Sequence, residues 1–249
     1  MPFTPAHPAI VLPFINKKYF SATALIIGSI SPDFEYFFKA SVSGVHGHSV
    51  AGILYFDLPV AIFVSLVFHL LIKKNLFANL PAFLQRRFHP TMSLDFKKIL
   101  AKQYVVVIYS ALMGAATHVF WDSFTHNGAF FVRNLELYKQ VRVPFQGVNY
   151  PLFYALQHIS TITGLTVIAF YIFFMPASLS VKPFRPRIQY WLLLVFTGSV
   201  FFALRFFFLP NDFNLGNAIV TGISALILSL CILGSIKIFR PLSTQNVQP

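Results

Sequence analysis

Apolar residues fall in long unbroken stretches, without the two-residue or sparse 3.6-residue alternation of half-buried elements. Five stretches reach the length of about 20 residues that a helix needs to cross a bilayer. They are Val50–Ile72, Gln103–Thr125, Tyr150–Met175, Tyr190–Leu209 and Asn217–Ile236, each bounded by charges, Pro or Asn. The first 40 residues differ. Ala9–Ile15 is short and holds Pro13, and Tyr19–Ile30 ends at Ser31-Pro32. Runs of that length suit buried or re-entrant segments better than spans. The pattern therefore predicts an all-α, polytopic helical membrane bundle of about five transmembrane helices. An N-terminal helical hairpin, re-entrant or on the surface, precedes them. A single tilted span from Tyr19 to Phe38, bent at Pro32, is the rival. Residues 1–240 are read as one membrane domain: 1–175 carries the chemistry, 190–236 adds two spans, and Ser243–Pro249 is a disordered tail.

Composition agrees with a lipid-solvated chain. Of 249 residues 56% are hydrophobic and 10% charged, where soluble domains carry about a quarter charged. The net charge of +12 would point to nucleic acid in a soluble protein. Here the cations lie in short segments between apolar runs, so no nucleic-acid partner is expected, and the bilayer is the main partner. Lys73–Lys102 holds seven Lys and Arg against Asp95 alone, and Pro176–Gln189 holds Lys182, Arg185 and Arg187. Both should be cytoplasmic, as should the tail with Lys237 and Arg240. Five spans then leave residues 44–49 outside and the C-terminus inside. No basic leader precedes the first apolar stretch, so targeting to the cell membrane is expected from the spans themselves. The single cysteine, Cys231, excludes a disulfide framework and a thiolate metal site.

Scarce charge makes the ionisable residues within apolar segments informative. His118, Asp122 and His126 recur every fourth residue, which on a helix places them on one face. The Lys/Arg argument sends this end outside, together with His46, His48, the start of the third span with His158, and Asp33 after its Ser-Pro break. His7 joins them if the first 38 residues return to their starting side. Imidazole plus carboxylate without thiolate suits zinc, or iron or manganese with further oxygens. One or two ions are expected, with His7, Asp33, His48, His118, Asp122, His126 and His158 as candidate ligands. Asp33 and Asp122 are the candidate catalytic carboxylates. Elsewhere blander roles are expected. His69 and His89 read as packed histidines, Asp57 as an interhelical hydrogen-bond partner, and Glu136 and Asp212 as loop residues. Arg205 reads as a snorkelling side chain.

The motifs Met1-Pro-Phe-Thr-Pro-Ala-His7-Pro, Gly28-Ser-Ile-Ser-Pro-Asp33-Phe-Glu35, His46-Gly-His48-Ser49 and Thr117-His118-Val-Phe-Trp-Asp122-Ser-Phe-Thr125-His126 resemble an uncharacterised family of bacterial inner-membrane proteins. The likeness covers residues 1–170. More distantly, the pattern is similar to membrane-bound proteins classed as metal-dependent hydrolases, grouped with zinc-dependent phospholipase C and single-strand nucleases. That resemblance implies a helical fold with Asp33, His48, His118 and Asp122 around one zinc. It implies His7 with Asp122 in a second site, and His126 and His158 in a third. The chain departs from the pattern at Val45-His46-Gly47, where the relatives carry His-Arg-Gly, and at Ile159–Ile162, where no acidic residue follows His158.

The function expected is phosphoester hydrolysis at the outer face, on an amphiphilic substrate such as a lipid head group. Water activated near Asp122 would attack, Asp33 would be ligand and orienting base, and Arg205 or Arg133 would bind phosphate. A lipid-phosphate phosphatase with a histidine nucleophile is a second enzyme reading, but the region upstream of His118 holds Leu112 and Met113 where that mechanism needs Arg. A non-enzymatic metal-binding, transport or scaffold protein is the third.

Overall fold

The structure, a computed structural model, describes residues 3–179 and 182–236. The tail expected at Ser243–Pro249 and the cations Lys237 and Arg240 lie outside the described residues. The described residues are 74% helical, and the only sheet among them is a two-stranded hairpin, so the all-α class holds. Among the described residues, five helices are long and apolar enough to cross a membrane, the signature of a multi-pass membrane protein. They are α1 (Val50–Asn79), α2 (Tyr104–Asp122), α3 (Leu152–Phe174), α4 (Ile188–Phe208) and α5 (Leu215–Ser235).

The ends of these helices show where pattern reading fell short. α1 continues past the basic pair Lys73-Lys74 to Asn79, because Lys73 is buried and turns its charge inward. Its ammonium donates to the carbonyls of Thr91 and Leu94 at 3.0 and 2.6 Å. The basic stretch expected to be a loop is therefore largely helical, with further helices at Ala82–Met92 and Phe96–Lys102. α1 also contains π-turns at Ile53–Asp57 and Phe68–Ile72. The first ends two residues before Pro59, whose ring would otherwise collide with the carbonyl one turn back.

The N-terminal region is not one tilted span. It is a run of short pieces: 3₁₀ turns over Thr4–Phe14, an α-helix at Ala22–Gly28, a 3₁₀ turn at Ser31–Asp33 and a helix at Phe34–Lys39. Pro5, Pro8 and Pro13 supply no backbone N–H, so Thr4–Phe14 cannot build an α-helical ladder. Residues 126–149, expected to be a loop, hold two five-residue helices and most of a hairpin of β1 (Arg142–Phe145) and β2 (Val148–Pro151), whose last two residues were expected to open the third span. Gln146 and Gly147 both have positive φ, the two-residue turn that matches strand twist.

Contacts divide the chain into two compact units with interleaved segments. One comprises the described residues of Met1–Phe34, Gly44–Phe63 and Leu100–Phe174. Within it, Ala22–Gly28 packs closely on α2, and Thr4–Phe14 lies along α3. A Cβ on Gly28 would lie 2.4 Å from the Ala111 carbonyl, and one on Gly114 would lie 2.5 Å from that of Leu25. Only glycine permits this approach of two backbones. The other unit comprises Glu35–Ser43, Val64–Ile99 and the described residues of Met175–Pro249. There α4 packs on α5 around Tyr190, Leu194 and Leu233, and the Asn75 amide donates to the carbonyls of Leu233 and Ile236 at the end of α5.

Candidate metal centre

Six of the seven predicted ligands come together inside the first unit. α2 supplies His118 and Asp122 one turn apart. The helix ends at Asp122, three residues earlier than expected, and His126 lies in the following turn. It still meets the cluster, because its backbone N–H continues to donate to the Asp122 carbonyl at 3.1 Å. Asp33 closes the Ser31–Asp33 turn and is fully buried. His48 precedes Ser49, whose hydroxyl accepts from Gly52 N–H at 2.9 Å and starts α1. Gly47 sits so close to Pro32 that a Cβ there would lie 2.2 Å from the Pro32 carbonyl, and this contact brings His48 to Asp33. His7 arrives on the Thr4–Phe14 turns, 1% exposed, its ring stacked on His118 at 3.7 Å between centroids.

Asp122 is shared. Its Oδ2 lies 3.2 Å from His118 Nε2 and 3.4 Å from His48 Nε2. Its Oδ1 lies 3.5 Å from both His7 Nε2 and His126 Nδ1. Asp33 Oδ1 faces His48 Nε2 at 3.2 Å and His118 Nε2 at 3.6 Å. Charge-assisted N–H···O bonds are shorter, about 2.7–2.9 Å. The unpartnered atoms point the same way. Both ring nitrogens of His7, Nε2 of His118, Nε2 of His126, Oδ1 of Asp33 and both carboxylate oxygens of Asp122 are buried without a hydrogen-bond partner. Each such atom costs about 1–3 kcal/mol unless something else satisfies it. A tetrahedral ion with donors at about 2.0–2.2 Å spaces them about 3.3–3.6 Å apart, whereas octahedral coordination at about 2.1 Å brings neighbours to about 3.0 Å. Four of the six observed spacings fall on the tetrahedral edge, and the other two, at 3.2 Å, lie just below it. Two ligand groups follow, His7–His118–Asp122 and Asp33–His48–His118, each with donor atoms within 4.8 Å of one another.

The surroundings orient these donors. His118 Nδ1 donates to the Ser29 carbonyl at 2.8 Å, which fixes the tautomer and leaves the Nε2 lone pair facing the carboxylates. Asp33 Oδ2 accepts from the Thr4 hydroxyl, so its other oxygen alone faces the imidazoles. Burial and the neighbouring His118 push His7 down to about 3. Burial also lowers His126. Burial would lower His48 too, but Asp122 and Asp33 override it and raise it to about 10. Burial would raise Asp33, yet His118 and His48 hold it below the usual carboxylate value. The two carboxylates thus draw positive charge into a buried space.

The seventh predicted ligand stands apart. His158 is exposed on α3 with its ring edge-on to Tyr154 at 4.6 Å, and it belongs to neither ligand group. Arg205, one of two cations expected to bind phosphate, is engaged by Asp212 at 2.8 Å. Arg133 is exposed on the short helix Phe130–Asn134. His69 stacks on Phe96 at 5.2 Å, a packed histidine, and Glu136 pairs with Lys139. Sequence reasoning missed Thr4, the Ser29 carbonyl and Gly47. Thr4 and Ser29 carry no ligand signature, and only Gly47, between two histidines, offered a local hint.

The chain belongs to a family defined by a domain of unknown function, DUF4184, whose model matches residues 1–235. No curated protein and no solved structure gives a match.

Proposed function

We propose that this protein is a metal-dependent hydrolase of the cell (inner) membrane, acting on phosphoesters with one or two zinc ions. Its centre lies at the outer face and its C-terminus in the cytoplasm. The observation that carries the reading is the divided carboxylate of Asp122, with one oxygen turned to His118 and His48 and the other to His7 and His126. A carboxylate shared in this way is suited to link two cations. Asp33, His48 and His118 would hold the first, and His7 with the second oxygen of Asp122 would hold the other, with His126 beside it. Ions in such a donor set supply Lewis acidity and a hydroxide at neutral pH. Two histidines and a carboxylate with open positions also suit iron, so Fe2+ or Mn2+ is the alternative ion.

The chain's own residues do the rest. The Ser29 carbonyl keeps the His118 lone pair aimed inward, and the Thr4 hydroxyl fixes the rotation of Asp33. His48 and His126, with side chains 25% exposed, form the accessible side, while His7, Asp33 and His118 line the closed side. With Asp33 Oδ2 taken by Thr4, Asp33 serves as ligand and not as base. The outer-face placement rests on the Lys/Arg bias of the segments between spans.

The test is metal content in mild detergent, wild type against Asp122→Asn and His118→Ala. Stoichiometric zinc is expected in the wild type and its loss in both variants; a metal-free wild type would sink the reading. Phosphomonoesters, phosphodiesters and phospholipids then test the reaction class, and inactivity on all three with metal bound would favour a binding or scaffold role. Cysteine labelling of Ser43→Cys from the periplasm and Ser93→Cys from the cytoplasm tests orientation, and the opposite pattern would reverse it.

A further inference from the structure

Beside the centre lies an apolar groove of about 570 Å³, within the range of ligand pockets. α2 and the turn beyond it form one wall with Trp121, Phe124 and Thr125. α3 forms the other with Leu156, Ser160 and Val167, and Ala9 and Ile10 close the groove. The lining includes no charged residue; its side-chain polar groups are the hydroxyls of Thr125, Ser160 and Thr163 and the Trp121 indole N–H. The groove adjoins the centre directly. Trp121 stands edge-on to His7 at 5.6 Å, and the Thr125 hydroxyl lies 3.3 Å from His126 Nδ1. Trp121 and Thr125 are the chain neighbours of Asp122 and His126, so one helix end presents ligands on one side and groove wall on the next. The floor is held by the contact of Gly164 with Ala6, where a Cβ would lie 2.8 Å from the Ala6 carbonyl, one residue before His7.

We infer that this groove binds the hydrocarbon tail of the substrate, whose polar head lies at the metal centre; this rests on the hydrolase reading above. A small water-soluble phosphoester would find no cation and little polarity there. A chain would find apolar walls from Leu156 to Val167, about 16 Å along a helix, room for an extended hydrocarbon tail. The substrate class is thus a phosphoester of a long-chain lipid, entering sideways from the bilayer along α3, whose apolar window is only 6% buried.

The probe is dodecylphosphonate bearing a diazirine in its chain. It is applied to the full-length protein in phosphatidylethanolamine–phosphatidylglycerol nanodiscs, zinc-loaded or chelator-stripped, with crosslinks mapped by mass spectrometry. Labels are expected on Trp121, Phe124, Leu156 and Ser160. Excess dodecylphosphonate should displace them and ethylphosphonate should not. Ser160→Phe, which fills the groove away from the ligands, should reduce this labelling at least fivefold with metal content unchanged. Labels spread evenly over α3, α4 and α5, or unaltered by Ser160→Phe, would overturn the tail site. Saturable groove labelling equal with and without zinc would keep the tail site and overturn the placement of the head at the metal. A wild type that binds no zinc, with groove labelling intact, would overturn the hydrolase reading and leave a lipid-binding groove.

Discussion

Gly114→Ala tests how the centre is built, because it touches no ligand. On an open helix face this change would stabilise by about 1 kcal/mol through helix propensity. At Gly114 the added Cβ would lie 2.5 Å from the Leu25 carbonyl, 2.7 Å from the Ser29 N–H and 2.9 Å from Gly28 C, all backbone atoms. No rotamer change can relieve these contacts. Restoring ordinary contact at about 3.4 Å requires Ala22–Gly28 and Ser29 to retreat by about 0.9 Å. The Ser29 carbonyl is the partner of His118 Nδ1 at 2.8 Å, and that bond would stretch to about 3.7 Å, past the limit of a hydrogen bond. Overpacking of this kind costs about 1–3 kcal/mol. Loss of the carbonyl that orients a ligating histidine costs about 10- to 100-fold in metal affinity, or about 1.4–2.8 kcal/mol. The assay is zinc competition against a chromophoric chelator at fixed pH, beside thermal unfolding in the same detergent. Gly222→Ala is the control, since nothing lies within 4 Å of its Cβ. Weakened zinc binding in Gly114→Ala with an unaffected Gly222→Ala is expected. Wild-type zinc affinity in Gly114→Ala would refute the claim that this close helix approach sets the His118 donor.

Three further outcomes follow from the same geometry. Thr4→Val leaves a buried oxygen of Asp33 without its donor and should cost about 1–3 kcal/mol of stability, with zinc affinity falling about tenfold in the same competition assay; unchanged affinity would show that Asp33 needs no such brace. His158→Ala should keep full metal content by elemental analysis, because its ring packs on Tyr154, and a drop would return His158 to the ligand set. Lys73→Met deprives the Thr91 and Leu94 carbonyls of a charged donor and should lower thermal stability by about 1.5–3 kcal/mol while leaving zinc binding intact; a metal-deficient but stable Lys73→Met protein would contradict the assignment of this lysine to fold alone.

The sequence was most readable where lipid imposes a rule on it. Four of the five helices lie within a few residues of the apolar runs that announced them, because a bilayer demands a fixed length of hydrophobic helix. α1 overran its expected end because Lys73 satisfies its charge on carbonyls more than 15 residues away in the chain, a contact that no local window contains. The hairpin at residues 142–151 escaped notice because its turn is Gln-Gly, weaker than Asn-Gly or Asp-Gly. The cluster was legible because acidic residues are few and two of them stand in motifs with histidine. What holds the cluster in place was not. A threonine hydroxyl and a main-chain carbonyl look like any other until the fold brings them within 3 Å of a ligand. The apolar groove was equally hidden, since its Leu, Ile and Val are indistinguishable from lipid-facing neighbours.

The order of the donors along the chain has its own consequence. His7 and Asp122 meet across 115 intervening peptide bonds, and the segment bearing His7 is built of 3₁₀ turns with three prolines and no helical ladder of its own. A cation gripped by both closes a loop of that length, which acts on the unfolded chain as a long-range crosslink does, by removing its closure entropy. Binding free energy at such a site is also folding free energy. The ion would then fasten the segment around His7 to a helix end 115 residues further along the chain, so the centre becomes complete only once α2 is in place. Chelation should release the N-terminal segment to proteases before it melts the long helices.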